Sequence, residues 1–164
     1  PAATAGTMAH DLVEAHLNQR PAPSLQGDDE VITKARAAFD TYLKWAEMYQ
    51  LTIRHTEVSL VSTLHRFGGR LDAIGDSTDG LVLVDWKTSN AVYADYLLQL
   101  AGYKILWEEN YPEHPLVGFH LCRFAKEQGD FSHHYFPHLD QEAQTFLAMR
   151  ALYDLVKEVE KRVK

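Results

Sequence analysis

The chain has 164 residues, 23 acidic and 16 basic, for a formal net charge of −7; this length fits one domain, residues 1–164, with a single sizeable core and no second full domain. At 46% hydrophobic and 24% charged the composition is globular and excludes disorder or a fibrous repeat. No apolar run approaches the ~18–20 residues of a membrane helix, and residues 1–6 lack the plan of a signal peptide, while the lone Cys122 excludes an internal disulfide, a four-cysteine zinc site and an iron–sulfur cluster within the chain.

In chain order, Gly6 to about Asn18 has a helical period with Thr7 as the expected N-cap and Ala9, Leu12, Val13, His16 and Leu17 on one face. Arg20 to Gly27, with two prolines, predicts a loop, and Asp28 to Tyr49 a long amphipathic helix. From Leu51 to Val61 the period becomes two, with Leu51, Ile53, His55 and Glu57 on one side. Leu64 to Asp76 and Leu81 to Thr88 predict two more strands joined by a Ser77–Gly80 hairpin turn. Ala94 to Asn110 is an apolar helix ended by Pro112 and Pro115. Leu116 to Phe124 and Phe131 to Pro137 predict strands around a turn at residues 127–130, and Asp140 caps a closing helix to about Lys161. The order ααβββαββα gives an α/β fold, a central mixed sheet flanked by helices. Because the first residue is Pro1, we expect processing or trimming, with further elements upstream.

Asp85 and Lys87 are two apart in the third strand, so both leave the same face of a segment that is otherwise apolar. A carboxylate and an ammonium buried there cost several kcal/mol unless paired, metal-bound or wetted by a cleft. If the hairpin centres on Thr78-Asp79, Asp72 falls opposite Asp85. Opposed like charges destabilise a sheet unless a cation lies between them, and carboxylates with water suit magnesium or manganese. Such an ion polarises a phosphoryl oxygen, and a lysine beside it can orient or deprotonate the attacking water. The acidic balance argues against coating nucleic acid by bulk charge but not against cleaving it.

Gly69-Arg70-Leu71-Asp72 and Val84-Asp85-Trp86-Lys87 resemble the signature of the PD-(D/E)xK nuclease superfamily, with Leu71 standing where the label has proline. Gly6-Thr7-Met8-Ala9-His10 and Gln99-Leu100-Ala101-Gly102-Tyr103 resemble two further motifs of its RecB-like exonuclease branch, and the resemblance runs over residues 6 to 103 in the family's order. It implies a restriction-endonuclease-like fold, His10, Asp72, Asp85 and the Trp86 backbone carbonyl as ligands of one or two Mg2+ or Mn2+ ions, and catalytic roles for Lys87, Asp85 and Asp72. It further implies that Gln99 and Tyr103, with Glu57 and Arg70, serve the substrate or the lysine. The absent cysteine set places the chain with the cluster-free, stand-alone type.

The expected function is a metal-dependent DNA exonuclease that leaves 5′-phosphates and acts on ends or single strands in recombination, repair or phage DNA processing. A recombination or replication protein is a possible partner, no membrane is involved, and the expected location is the cytoplasm of a bacterium or phage host, or an organelle. The alternatives are a structure-specific or restriction-type endonuclease and a catalytically silent nucleic-acid-binding or partner-docking module. Plainer readings stand beside these: His16 as a packed core histidine, Trp45 and Trp107 as core, Asp76 and Asp79 as turn formers, and Arg54, His65, Arg66 and Arg70 as either a DNA groove or a solvated face. A zinc site at His133, His134 and His138 is disfavoured, because neighbouring strand residues face opposite ways.

Overall fold

The computed structural model describes residues 4–125 and 129–163. Four helices and five strands follow one another as α1 (Ala5–Leu17), α2 (Asp29–Tyr49), β1 (Thr52–Ser62), β2 (Phe67–Ser77), β3 (Gly80–Thr88), α3 (Ala94–Asn110), β4 (Leu116–Phe124), β5 (Phe131–Phe136) and α4 (Asp140–Lys161), the order expected from the sequence. The strands form one sheet in the order β1-β2-β3-β4-β5. All neighbours are antiparallel except β3 and β4, which run parallel because α3 carries the chain across between them. Part of the turn expected at residues 127–130 lies outside the described residues.

Each face of the sheet has its own core. Leu60, Leu71, Ile74, Leu83, Phe119 and Leu121 meet Leu100 and Leu106 of α3 on one face. On the other, Val82, Val84, Trp86, Cys122 and Phe124 meet Val13 of α1 and Tyr42 and Trp45 of α2. Trp45 and Trp107 are buried as core residues, and His16 packs edge-on against Phe39 and Tyr42. Helix α4 buries no residue of its own. It is anchored by Phe146, whose ring occupies the space a Cβ on Gly102 of α3 would fill, 2.9 Å away, and which stacks obliquely on Phe67 at 4.8 Å.

Four local expectations are corrected. Thr4, not Thr7, caps α1: its hydroxyl accepts from the Thr7 N–H, so the cap lies three residues earlier. Leu139 occupies the N-cap of α4 and is buried, leaving Asp140 as the first helical residue. Residues 63–66 form a turn, so β2 starts at Phe67; Arg66 takes a left-handed φ of 57°. At the second hairpin the turn is held by Ser77, which accepts from Asp79 N–H and donates to the Gly80 carbonyl, while Asp76 pairs with Arg54 instead.

The alternation expected in β1 also fails, and this shapes the site. The register slips between Ile53 and His55, so Ile53 packs on the α2 face while His55 pairs across to Ile74, a residue of the α3-face core. Glu57 then adopts a left-handed φ of 53°, and Val58 joins the α3-face core. In β2 the residues on either side of Asp72 belong to opposite cores, Leu71 to one and Ala73 to the other. Two adjacent strands therefore change face together at Glu57 and Asp72, with the register the same on either side.

Candidate active site

Four elements bring the charged residues together. The second turn of α1 supplies His10, the irregular points of β1 and β2 supply Glu57 and Asp72, and the buried strand β3 supplies Asp85 and Lys87. Donor atoms of His10, Glu57 and Asp72 all lie within 4.8 Å of one another, an arrangement able to hold a metal ion; His10 Nδ1 stands 3.7 Å from Asp72 Oδ1. The hairpin register has the predicted sum, Ala73 opposite Val84 and Ile74 opposite Leu83, but the ladder ends there. Where one more pair would set Asp72 against Asp85, Asp72 Oδ2 accepts the Trp86 backbone N–H at 2.9 Å. Asp72 is thereby fixed by the very strand that carries Asp85 and Lys87.

Asp85 is 1% exposed, and neither of its carboxylate oxygens has a hydrogen-bond partner among the described residues. Its charge is met by Lys87 Nζ, 2.9 Å from Oδ2. Lys87 also donates to Gln99 Oε1 on α3, and the Tyr96 ring centroid lies 5.2 Å from its Nζ. The ammonium is thus held between a carboxylate, an amide oxygen and an aromatic face, three groups that all favour a positive charge.

The titration shifts share one cause. Burial, and then each other's charge, pushes the Asp85 carboxyl to about 8 and burial pushes Asp72 to about 6, the Trp86 N–H and Lys87 opposing the rise at Asp72. Burial likewise raises Glu57, with Arg70 opposing, and lowers His10, with Asp85 opposing. Carboxyls shifted upward and an imidazole shifted downward, packed this closely, mark a site short of positive charge. A divalent cation would supply it, and the donor set of imidazole, carboxylates and orphaned Asp85 oxygens fits one.

These groups line one side of an open cleft of about 440 Å³, whose walls include Thr7, His10, Glu57, Arg70, Asp72, Lys87 and Tyr96. Arg70 reaches across to Glu57. Gln99 touches the cleft through Lys87, whereas Tyr103, one turn on, lies over Gly69 and lines a neighbouring groove. Tyr96, absent from the sequence reading, was accessible to it: it precedes Gln99 by three residues and so shares that helix face. Glu57 sits at the centre of the cluster rather than at its margin, because of a backbone turn that alternation could not reveal.

Among solved structures the chain resembles a protein from Eubacterium rectale assigned provisionally as an exonuclease, with 12% identity and a TM-score of 0.58, covering 93% of this chain and 65% of that one. The chain thus spans about two thirds of the length of that protein. It also aligns with LHK-Exo, an alkaline exonuclease from Laribacter hongkongensis, at 12% identity and a TM-score of 0.44, covering 99% of this chain and 94% of that one. No curated protein matches significantly. A sequence model of the PD-(D/E)XK nuclease superfamily matches residues 1–162, and with a five-stranded mixed sheet whose central strands carry Asp72 and Asp-Trp-Lys at 85–87, the chain belongs to that superfamily.

Proposed function

We propose that this chain is a divalent-metal-dependent deoxyribonuclease, an exonuclease that works on DNA ends or single strands and leaves 5′-phosphates. The observation that carries this reading is the convergence of His10, Glu57 and Asp72 within 4.8 Å, beside a lysine paired to a buried aspartate, on one wall of an open cleft. His10, Glu57, Asp72, Asp85 and the Trp86 carbonyl are the groups that would hold Mg2+ or Mn2+, which when bound polarises the phosphoryl oxygen and acidifies water. The protein's own part is positional. Gln99 and Asp85 fix Lys87 Nζ at the cleft wall, where it can orient a water or meet a phosphate oxygen. Arg70 neutralises Glu57 at the mouth and offers the incoming backbone a cation.

The test is digestion of end-labelled linear and closed circular DNA, single- and double-stranded, with magnesium, manganese or EDTA. Loss of linear substrate with early mononucleotides or short oligomers, sparing of circles and silence in EDTA are expected. Efficient nicking of circles would establish an endonuclease instead. No cleavage of any substrate, with metal binding absent by calorimetry, would leave a silent docking module.

A further inference from the structure

Beyond Gln99 the cleft wall continues into a second cavity of about 660 Å³, formed by the start of β2, α3 and α4. Its floor is Gly69, where an added Cβ would stand 3.0 Å from the Tyr103 ring. Its sides are largely apolar and aromatic: Tyr103, Phe146, Met149 and Tyr153. Met149 and Tyr153 remain 54% and 58% exposed, so this surface is open to an occupant. Arg150 and Lys157 stand 5.3 and 5.4 Å from the Tyr153 ring centroid, and Arg66 reaches the same rim through Asp154. Three cations, Arg66, Arg150 and Lys157, stand at this rim beside the carboxylates of Asp154 and Glu160. At its cleft-side end the groove is lined by Asp95 and Gln99, both hydrogen-bond acceptors.

From these features we infer that the groove seats one or two unpaired nucleobases of the strand whose phosphate lies at Lys87. The inference rests on the nuclease reading of the cleft and narrows its substrate to nucleic acid with a single-stranded segment. Three features select this occupant. The groove shares Gln99 with the lysine, so a strand leaving the cleft enters it directly. From Gln99 to Leu106 it runs about 10 Å at ~1.5 Å per residue, room for one or two nucleotides and too short for a docked helix of several turns. Aromatic rings flanked by cations suit flat bases on a charged backbone, because stacking is tolerant of sequence while the cations meet phosphates.

The experiment is fluorescence anisotropy on the full chain, with calcium as the cation and oligonucleotide integrity checked on gels. The probes are a single-stranded oligonucleotide, the same strand carrying one abasic site at successive positions from its end, and a blunt duplex. Tyr153→Ala is expected to weaken single-strand binding roughly 5- to 100-fold, the range set by loss of one stacking platform, with duplex affinity and the metal isotherm unchanged. In the unaltered protein one or two abasic positions should reproduce that loss, and in Tyr153→Ala they should cost nothing further. Met149→Glu, which sets an anion in the groove, should act the same way if Tyr153→Ala folds poorly. Unchanged single-strand affinity in both folded variants overturns the groove, as does a change confined to self-association, which would mark a contact between copies. Cleavage is scored separately: a protein that cleaves nothing yet loses single-strand binding on Tyr153→Ala refutes the catalytic reading and keeps the groove, whereas normal cleavage with no Tyr153 effect does the reverse.

Discussion

Lys87 has an ion-paired carboxylate, an amide acceptor and an aromatic face around it but no lone pair while protonated, so it can position charge without ligating a metal. Lys87→Ala should therefore leave metal affinity equal or higher and lower single-turnover cleavage by roughly 10²-fold or more. Calorimetry and quench-flow on one preparation check this; a large fall in melting temperature with normal turnover by the folded fraction would make Lys87 a structural counter-ion. On the other face of the sheet, the Trp45 indole donates to His133 Nδ1 at 3.0 Å, which leaves His133 Nε2 to donate to His120 Nδ1 at 2.7 Å. Burial, then His120 and His134, pushes His133 down to about 4. The unfolded chain takes up a proton near pH 6.5 and the folded chain only near 4, so this contribution to stability is complete above 6.5 and is lost as pH falls through that window. His133→Gln, which keeps an acceptor for Trp45, should show a shallower fall in melting temperature from pH 7 to 4.5 than the unaltered protein; parallel curves would contradict the assignment. Residues named from sequence, His10, Asp72, Asp85, Lys87 and Gln99, do come together in space. What sequence left unseen at this scale was distance: Asp72 is tied to the Trp86 N–H, a contact to a backbone group that no residue pattern announces.

Helices and strands were legible because apolar spacing differs sharply between periods of 3.6 and 2, and eight of the nine elements begin within two residues of the predicted position; β2 begins three later. The exceptions have local causes. Thr4 competes with Thr7 as a cap and wins because its hydroxyl reaches the Thr7 N–H, and residues 63–66 turn because Ser62 Oγ accepts the His65 N–H. The face changes at Glu57 and Asp72 were invisible, since such a local backbone turn leaves composition unchanged while moving each later side chain across the sheet. Helix α4 raises a separate matter: with no buried residue, it depends on the Phe146 ring lying against Gly102. Gly102→Val must displace that ring or the helix and should cost about 1–3 kcal/mol, the range for overpacking. Hydrogen exchange should then rise first in α4, while β3 and β4 stay protected; uniform exchange across the chain would show that α4 is not a separately tethered element.

At the scale of the whole molecule, closely packed carboxylates repel one another, and the proposed cation would relieve that repulsion. Adding Mg2+ or Mn2+ should stabilise the fold in proportion to the logarithm of concentration, by about 2.7 kcal/mol at 100 times the dissociation constant, read as a rise in melting temperature that EDTA reverses. Asp85→Ala should abolish this metal-dependent shift along with cleavage; an equal shift in that variant would move the metal away from β3. The same irregular backbone also guards the molecule against its own kind. β1 is an outer strand of the sheet, with one flank free of any ladder partner among the described residues, the situation in which chains add to one another strand by strand. The slip after Ile53 and the left-handed Glu57 break that flank into short pieces that no straight strand can follow, and Asn110 Nδ2 takes the Val61 carbonyl near its end. Straightening β1 at Glu57 would therefore do more than scatter the charged cluster: it would open an adhesive edge along which further chains add.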